Sequence, residues 1–187
     1  IHEARKRDII GMLGNPQMLS MLVDVVKGDQ WPETKTELYA RACLKLLKED
    51  NRFHSSVHKN RPSLQKLEDV TGFIYAALIL SGKSIICLDG ETRDIDLGVS
   101  DFICERYEQS IIRSALSTKA FKASGTVSVE PCHRTVAEYL AAKWLANNLK
   151  QDLSRRRLEA LLYGNAYFIP SVFRGLHAWL TTFLAQS

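Results

Sequence analysis

The sequence predicts a mainly α protein: a helical subdomain, then a winged helix with a small β-hairpin, then the start of a helical region that could open a repeat array. Three observations carry this. Phe121 and Ala123, then Val127 and Val129, alternate with polar residues on either side of Ser124-Gly125, a pair suited to a tight hairpin turn. Pro131 should end the second strand, because proline has no N–H to give to a ladder. Beyond it Val136, Tyr139, Leu140, Trp144 and Leu145 recur at helical spacing and predict one apolar helix face. A hairpin packed beside helices is the outline of a winged helix.

Taken in order, residues 1–13 read as the end of a helix with Ile9, Ile10 and Leu13 on one side. Asn15 is a suitable N-cap and Pro16 suits the first helical position. The run Met18, Leu19, Leu22, Val23, Val25, Val26 is apolar almost all round, so that helix is expected to be buried, with Gly28 as its stop. Thr34-Lys35-Thr36-Glu37 reads as a capping box. The helix after it should run to about Glu49 and bury Leu38, Ala42, Leu46 and Leu47. Residues 50–62 are polar and basic and read as a linker.

Ser63 caps the next predicted helix, whose apolar set is Leu64, Leu67, Val70, Ile74, Ala77 and Leu78, with Gly82 as its stop. Ile85 to Leu88 fits a short strand. Asp89 to Gly98 reads as an acidic, solvated loop. From Ser100 to about Leu116 one helical stretch is expected, with Phe102, Ile103, Tyr107, Ile111, Ile112 and Leu116 inward. Past the hairpin and its helix, Leu158, Leu161, Leu162 and Tyr163 mark another helix. Ser171 to Leu184 marks a last one carrying Val172, Leu176, Trp179, Leu180 and Phe183. The expected domains are therefore 1–60, small and helical; 61–146, the winged helix; and 147–187, the start of a helical arm.

Bulk properties narrow the function classes. The chain has 187 residues, is 45% hydrophobic and 25% charged, and carries a formal charge of +4. That is an ordinary globular balance, too mildly basic to argue for nucleic acid or an anionic surface. Arg155-Arg156-Arg157 is the one basic run, and it reads as a solvated helix face. The four cysteines, Cys43, Cys87, Cys104 and Cys132, form no CxxC pair, so reduced core thiols and a cytoplasmic setting are expected. No apolar run reaches the roughly 18 residues of a membrane span, so no membrane partner is expected. The chain opens at Ile1 directly in charged helical sequence, and we expect it to be a piece of a longer protein.

Three stretches, in order, resemble a known family. His133-Arg134-Thr135-Val136-Ala137-Glu138-Tyr139-Leu140-Ala141-Ala142 resembles the "HRTFQEYLAA" signature of NACHT-type STAND nucleoside triphosphatases. Gly14-Asn15-Pro16-Gln17-Met18-Leu19 is similar to their "GNPLLL" element, and Trp31 to Tyr39 to their "LPxxRxELY" helix start. Val136-Ala137 stands where an aromatic residue and a glutamine are usual, so packing there should differ. The resemblance implies a non-catalytic regulatory segment of a signalling ATPase switch, lying C-terminal to a P-loop domain of the same chain. It implies that His133 contacts the β-phosphate of ADP, that Pro16 packs on the adenine, and that Asn15 lies beside it. All three would act only together with that P-loop domain. ATP or ADP is the implied cofactor of the intact protein, with none expected on this segment alone, and self-association would follow activation.

The residues themselves bear on that reading. His133 falls at a helix N-terminus, where unpaired backbone amides favour anions. An imidazole can donate to a phosphate oxygen, and a phosphate raises its proton affinity. The competing reading is a histidine that caps its helix or bonds a neighbouring carbonyl. Gly82-Lys83-Ser84 is not a P-loop, since Ala77 stands where the first glycine is needed and a helix precedes it. The segment is therefore not expected to hydrolyse nucleotide, and no catalytic residue is assigned. Arg134 and Glu138, four apart, suit an ion pair worth about 0.3 kcal/mol if exposed.

No metal site is expected. His54 and His58 have ligand spacing but lie in loop-like sequence without a third ligand. Asp89, Glu91, Asp94 and Asp96 lack the EF-hand pattern. Two other functions remain open. One is a DNA-binding winged-helix regulator, argued against by Arg113 being the sole basic residue of the helix before the wing, with Lys119 and Lys122 adding little. The other is a structural helical scaffold.

Overall fold

A computed structural model describes residues 5, 10, 16–26, 31–48, 61–89, 96–149, 154–164 and 168–186. Asn15, Gly28, the 50–60 part of the linker with His54 and His58, and the acids Glu91 and Asp94 lie outside the described residues. The chain divides into two compact units, Ile1–Leu46 and Leu47–Ser187. It is mainly helical, with a small four-stranded sheet that contains the expected hairpin. No helix of the described residues is long and apolar enough to cross a membrane.

In the first unit, α1 (Pro16–Val26) starts on its proline, and α2 (Lys35–Lys48) follows. Met21, Leu22 and Val25 of α1 are buried, but Leu19 and Val23 are exposed, so α1 buries one face and not its whole girth. On α2, Leu38, Ala42 and Leu47 are buried and Leu46 is half-buried. The cap of α2 differs from a capping box in one bond. Thr34 Oγ1 accepts the Glu37 N–H at 3.1 Å, but the Glu37 carboxylate reaches back one residue further and accepts the Glu33 N–H at 2.7 Å. The same orphan donors are satisfied by a wider loop of chain.

The second unit starts with α3 (Leu64–Ser81). Ser63 Oγ accepts the Lys66 N–H at 3.2 Å. At the other end Gly82 adopts φ +71°, its N–H bonds Ile79 O, and the Lys83 N–H bonds Leu78 O at 3.0 Å. This double closure needs a left-handed residue, which is why glycine sits there. Leu67, Val70, Ile74 and Leu78 are fully or almost fully buried, each worth roughly 1.5–3 kcal/mol. Thr71, between them, is also fully buried, and its hydroxyl has no hydrogen-bond partner among the described residues.

The sheet follows as β1 (Ile86–Cys87), β2 (Leu97–Gly98), β3 (Phe121–Ala123) and β4 (Ser128–Pro131), in the spatial order β2-β1-β4-β3. β3 and β4 are antiparallel, with Lys122 opposite Glu130 and Ala123 opposite Val129. The hairpin loop runs over residues 124–127, longer than a two-residue turn, with Gly125 at φ +105° and Val127 exposed. The Val127 carbonyl is not idle: it accepts the Leu88 N–H at 2.8 Å and ties the loop to β1. The end of the expected solvated loop is in fact structural. Leu97 and Gly98 pair parallel with β1, and Asp96 is buried, its carbonyl accepting from Lys83 Nζ at 3.0 Å.

The expected helix from Ser100 to Leu116 is broken. Val99–Phe102 form a 3-10 turn, Ile103 is extended and exposed, and Cys104 and Tyr107 bridge across a tight turn. Only then does α4 (Gln109–Leu116) begin. The reason lies in Phe73 of α3. Its ring packs 6.3 Å from Phe102 and 4.9 Å from Tyr107. On a continuous helix those two residues would point about 140° apart and could not share one partner.

The last helices are α5 (Arg134–Asn148), α6 (Arg155–Tyr163) and α7 (Arg174–Ala185), with a 3-10 turn at Ser171–Phe173. α5 was expected to present one apolar face, but every residue from Val136 to Ala142 is buried. It is a central helix with two partners. On one side Leu140 and Trp144 meet α3 at Gly72. On the other Tyr139 packs 5.0 Å from Trp179 and 5.3 Å from Phe183 of α7. The exposed Arg155-Arg156-Arg157 run opens α6 behind its Ser154 cap, and Val172, expected inward, is exposed.

Candidate functional site

The site is built where the hairpin hands over to α5. Pro131, opposite Phe121, ends β4, and the next N–H, that of Cys132, is tied to Ala120 O at 2.9 Å. The sheet therefore fixes the chain up to one residue before the helix. His133 is extended, at φ −150° and ψ 134°, and is the N-cap residue: its carbonyl accepts the Ala137 N–H at 3.0 Å. Its imidazole does not cap. No side-chain cap bond is made, the ring is exposed, and among the described residues it has no hydrogen-bond partner. The helix-capping reading of this histidine is thereby removed.

The electrostatics are distinctive. The imidazole is pushed below its ordinary value of 6.5, first by partial burial and then by the positive charge of Lys122. At neutral pH it is a neutral ring able to donate one N–H. Lys122 faces Glu130 across the hairpin, Nζ to Oε1 3.0 Å. The first turn of α5 has no acidic residue to occupy its amides. A neutral donor, a nearby ammonium and a helix N-terminus together favour an anion. Burial pushes the thiol of the adjacent Cys132 up to about 12, which disfavours its thiolate form.

Arg134 and Glu138 pair as their spacing suggested, Nε to Oε1 2.9 Å, but not as an exposed pair. Glu138 is buried at 8% exposure. Arg134 also donates through Nη2 to Val172 O at 2.7 Å, in the turn before α7. In the sequence Val172 reads only as an apolar position of the last helix, and Gly175, against which the Glu138 carboxylate rests, only as a glycine within it. The one available signal was a glycine inside an apolar helical pattern, which usually has a packing reason.

Pro16 is the exposed first residue of α1, in the first unit, while His133 belongs to the second. Asn15 lies outside the described residues. Lys83 of the Gly-Lys-Ser triplet is engaged with the Asp96 carbonyl. Arg113 on α4 donates to Leu88 O at 3.3 Å. A polar groove of about 530 Å³ lies between the start of α3 and the end of α5, but most of its charges are paired within it, and Lys66 Nζ donates to the Arg106 carbonyl at 3.4 Å. Lys143 meets Glu68 at 2.7 Å and Arg106 meets Asp69 at 3.0 Å. The Asp69 carboxylate also takes the Tyr107 hydroxyl at 2.7 Å, and burial raises the pKa of that phenol well above its usual 10. The groove is a strut, bracing the broken segment to α3 and α5. Among the described residues no three His, Cys, Asp or Glu side chains gather for a metal.

No family model, curated protein or solved structure matches the chain.

Proposed function

We propose that this chain is the regulatory, non-catalytic segment of a NACHT-type STAND signalling ATPase, in which His133 senses the phosphate of a nucleotide held by a P-loop domain of the same protein. What supports the reading is one observation: an exposed imidazole at a helix N-cap, without a hydrogen-bond partner among the described residues, beside Lys122. The resemblance of the three ordered motifs supplies the nucleotide. Pro16, exposed at the start of α1, would lie on the adenine.

The mechanism is differential binding. With ADP present, the neutral His133 donates to a β-phosphate oxygen and holds the winged helix closed on the P-loop domain. Exchange for ATP loses that contact, the winged helix swings away, and surfaces for self-association are uncovered. Such a switch works only because the nucleotide binds the two arrangements unequally. A hydrogen bond to a charged group is worth about 1.5–3 kcal/mol, or roughly 10- to 150-fold in affinity. His133→Ala, made in the protein carrying its P-loop domain, should weaken ADP binding by that range and raise basal activation. ADP affinity and basal activation equal to the parent's would rule the latch out.

A further inference from the structure

Near its start α5 makes a contact that the phosphate latch does not use, through Glu138, one turn in. A Cβ placed on Gly175 would lie 2.0 Å from Glu138 Oε2 and 2.4 Å from its carboxyl carbon, so no side chain fits at that position while the carboxylate is where it is. Gly175 is the second residue of α7, and the amides of a first helical turn carry the partial positive charge that a buried carboxylate needs. On its other side the same carboxylate holds Arg134, which also holds the Val172 carbonyl. Arg134 follows His133 directly and is the first residue of α5. The start of α7 and the start of α5 are therefore joined by a short polar chain, Gly175 to Glu138 to Arg134, that ends one residue from the imidazole.

We propose that Gly175, Glu138 and Arg134 are positioning residues through which the docking of α7 onto α5 sets the order of the first turn of α5 and the orientation of the His133 ring. The consequence for a nucleotide rests on the phosphate-sensor reading above; the link itself does not. With α7 docked, Arg134 is held by two acceptors and the turn is fixed. With α7 lifted, Arg134 loses the Val172 carbonyl, Glu138 loses its packing against Gly175, and the turn carrying His133 is released. Whatever displaces α7 would in this way reach the sensor, and the sensor would reach α7, since coupling between two sites is reciprocal.

The test uses the 187-residue chain with no nucleotide, read by amide hydrogen exchange and by the ring resonances of His133. Gly175→Ala should speed exchange roughly tenfold at residues 137–140, whose amides bond the carbonyls of the first turn, and shift the His133 ring resonances, while amides of α3 and β4 keep their rates. Arg134 is exposed, and Arg134→Lys leaves a well-folded chain whose single ammonium nitrogen replaces the two nitrogens, Nε and Nη2, that reach the two acceptors; residues 177–180 should then exchange faster. Loosening of α7 without any change at the His133 ring or at residues 137–140, or an unchanged α7 in both variants, overturns the proposal. If Gly175→Ala does not fold, Arg134→Lys decides alone. Success here with unaltered ADP binding in His133→Ala would retain the link and discard the latch, and the opposite pair of results would do the reverse.

Discussion

α5 meets α3 at Gly72 and α7 at Gly175, and the two glycines face different kinds of atoms. A Cβ on Gly72 would come within 2.7 Å of Trp144 Cβ and 2.8 Å of Leu140 O. Both belong to stiff parts of α5, one fixed to the backbone and the other part of it. A Cβ on Gly175 would meet the far end of a glutamate. That end can rotate away, at the cost of its bonds. One joint is a permanent seam between two helices. The other is a catch that can open without breaking the helix that carries it. The lesson concerns how a single helix can be a structural axis on one side and a moving part on the other.

The comparison can be broken by stability measurements. Gly72→Ala forces the α3–α5 seam apart and should cost about 3 kcal/mol, the upper end for overpacking. Gly175→Ala should cost less, about 1–2 kcal/mol, because the carboxylate can turn. Urea unfolding followed by tryptophan fluorescence gives both values. A larger loss at Gly175 would mean that α7, not α3, is the rigid partner.

A smaller effect concerns pH. The folded state holds the His133 pKa below its unfolded value of 6.5. The unfolded chain then binds the proton more readily, so stability is full above pH 6.5, falls as pH drops below it, and stops falling beneath the lowered folded value. The loss should register at the start of α5, on the catch side, and leave the Gly72 seam alone. His133→Ala should flatten that part of the pH–stability curve; an unchanged curve would place the acid sensitivity elsewhere.

Much of the frame was legible in the sequence. Ser63, Gly82 and Pro131 each do locally what their chemistry suggested: cap, stop and strand end. His133 at the junction of hairpin and helix was legible for the same reason. The failures share a physical cause, which is contact between residues distant in the chain. Nothing near Phe102 and Tyr107 says that both must face Phe73, so the helix break was hidden. A two-residue parallel strand at Leu97–Gly98 has no periodicity to read. The alanines of α5 fall outside the apolar face read from its spacing. They are what lets neighbours close on it from both sides. Glu138 scanned as half of a surface ion pair because its burial is imposed by a glycine 37 positions later.

The lone hydroxyl of Thr71 carries a practical corollary. A buried oxygen that no donor or acceptor answers is a standing penalty of about 1–3 kcal/mol, whereas valine has nearly the same shape and no such demand. Thr71→Val should therefore raise the melting temperature without touching His133 or either joint. The molecule thus keeps a reserve of heat tolerance that a single oxygen-for-carbon exchange would release, a useful background in which to study the more disruptive glycine variants.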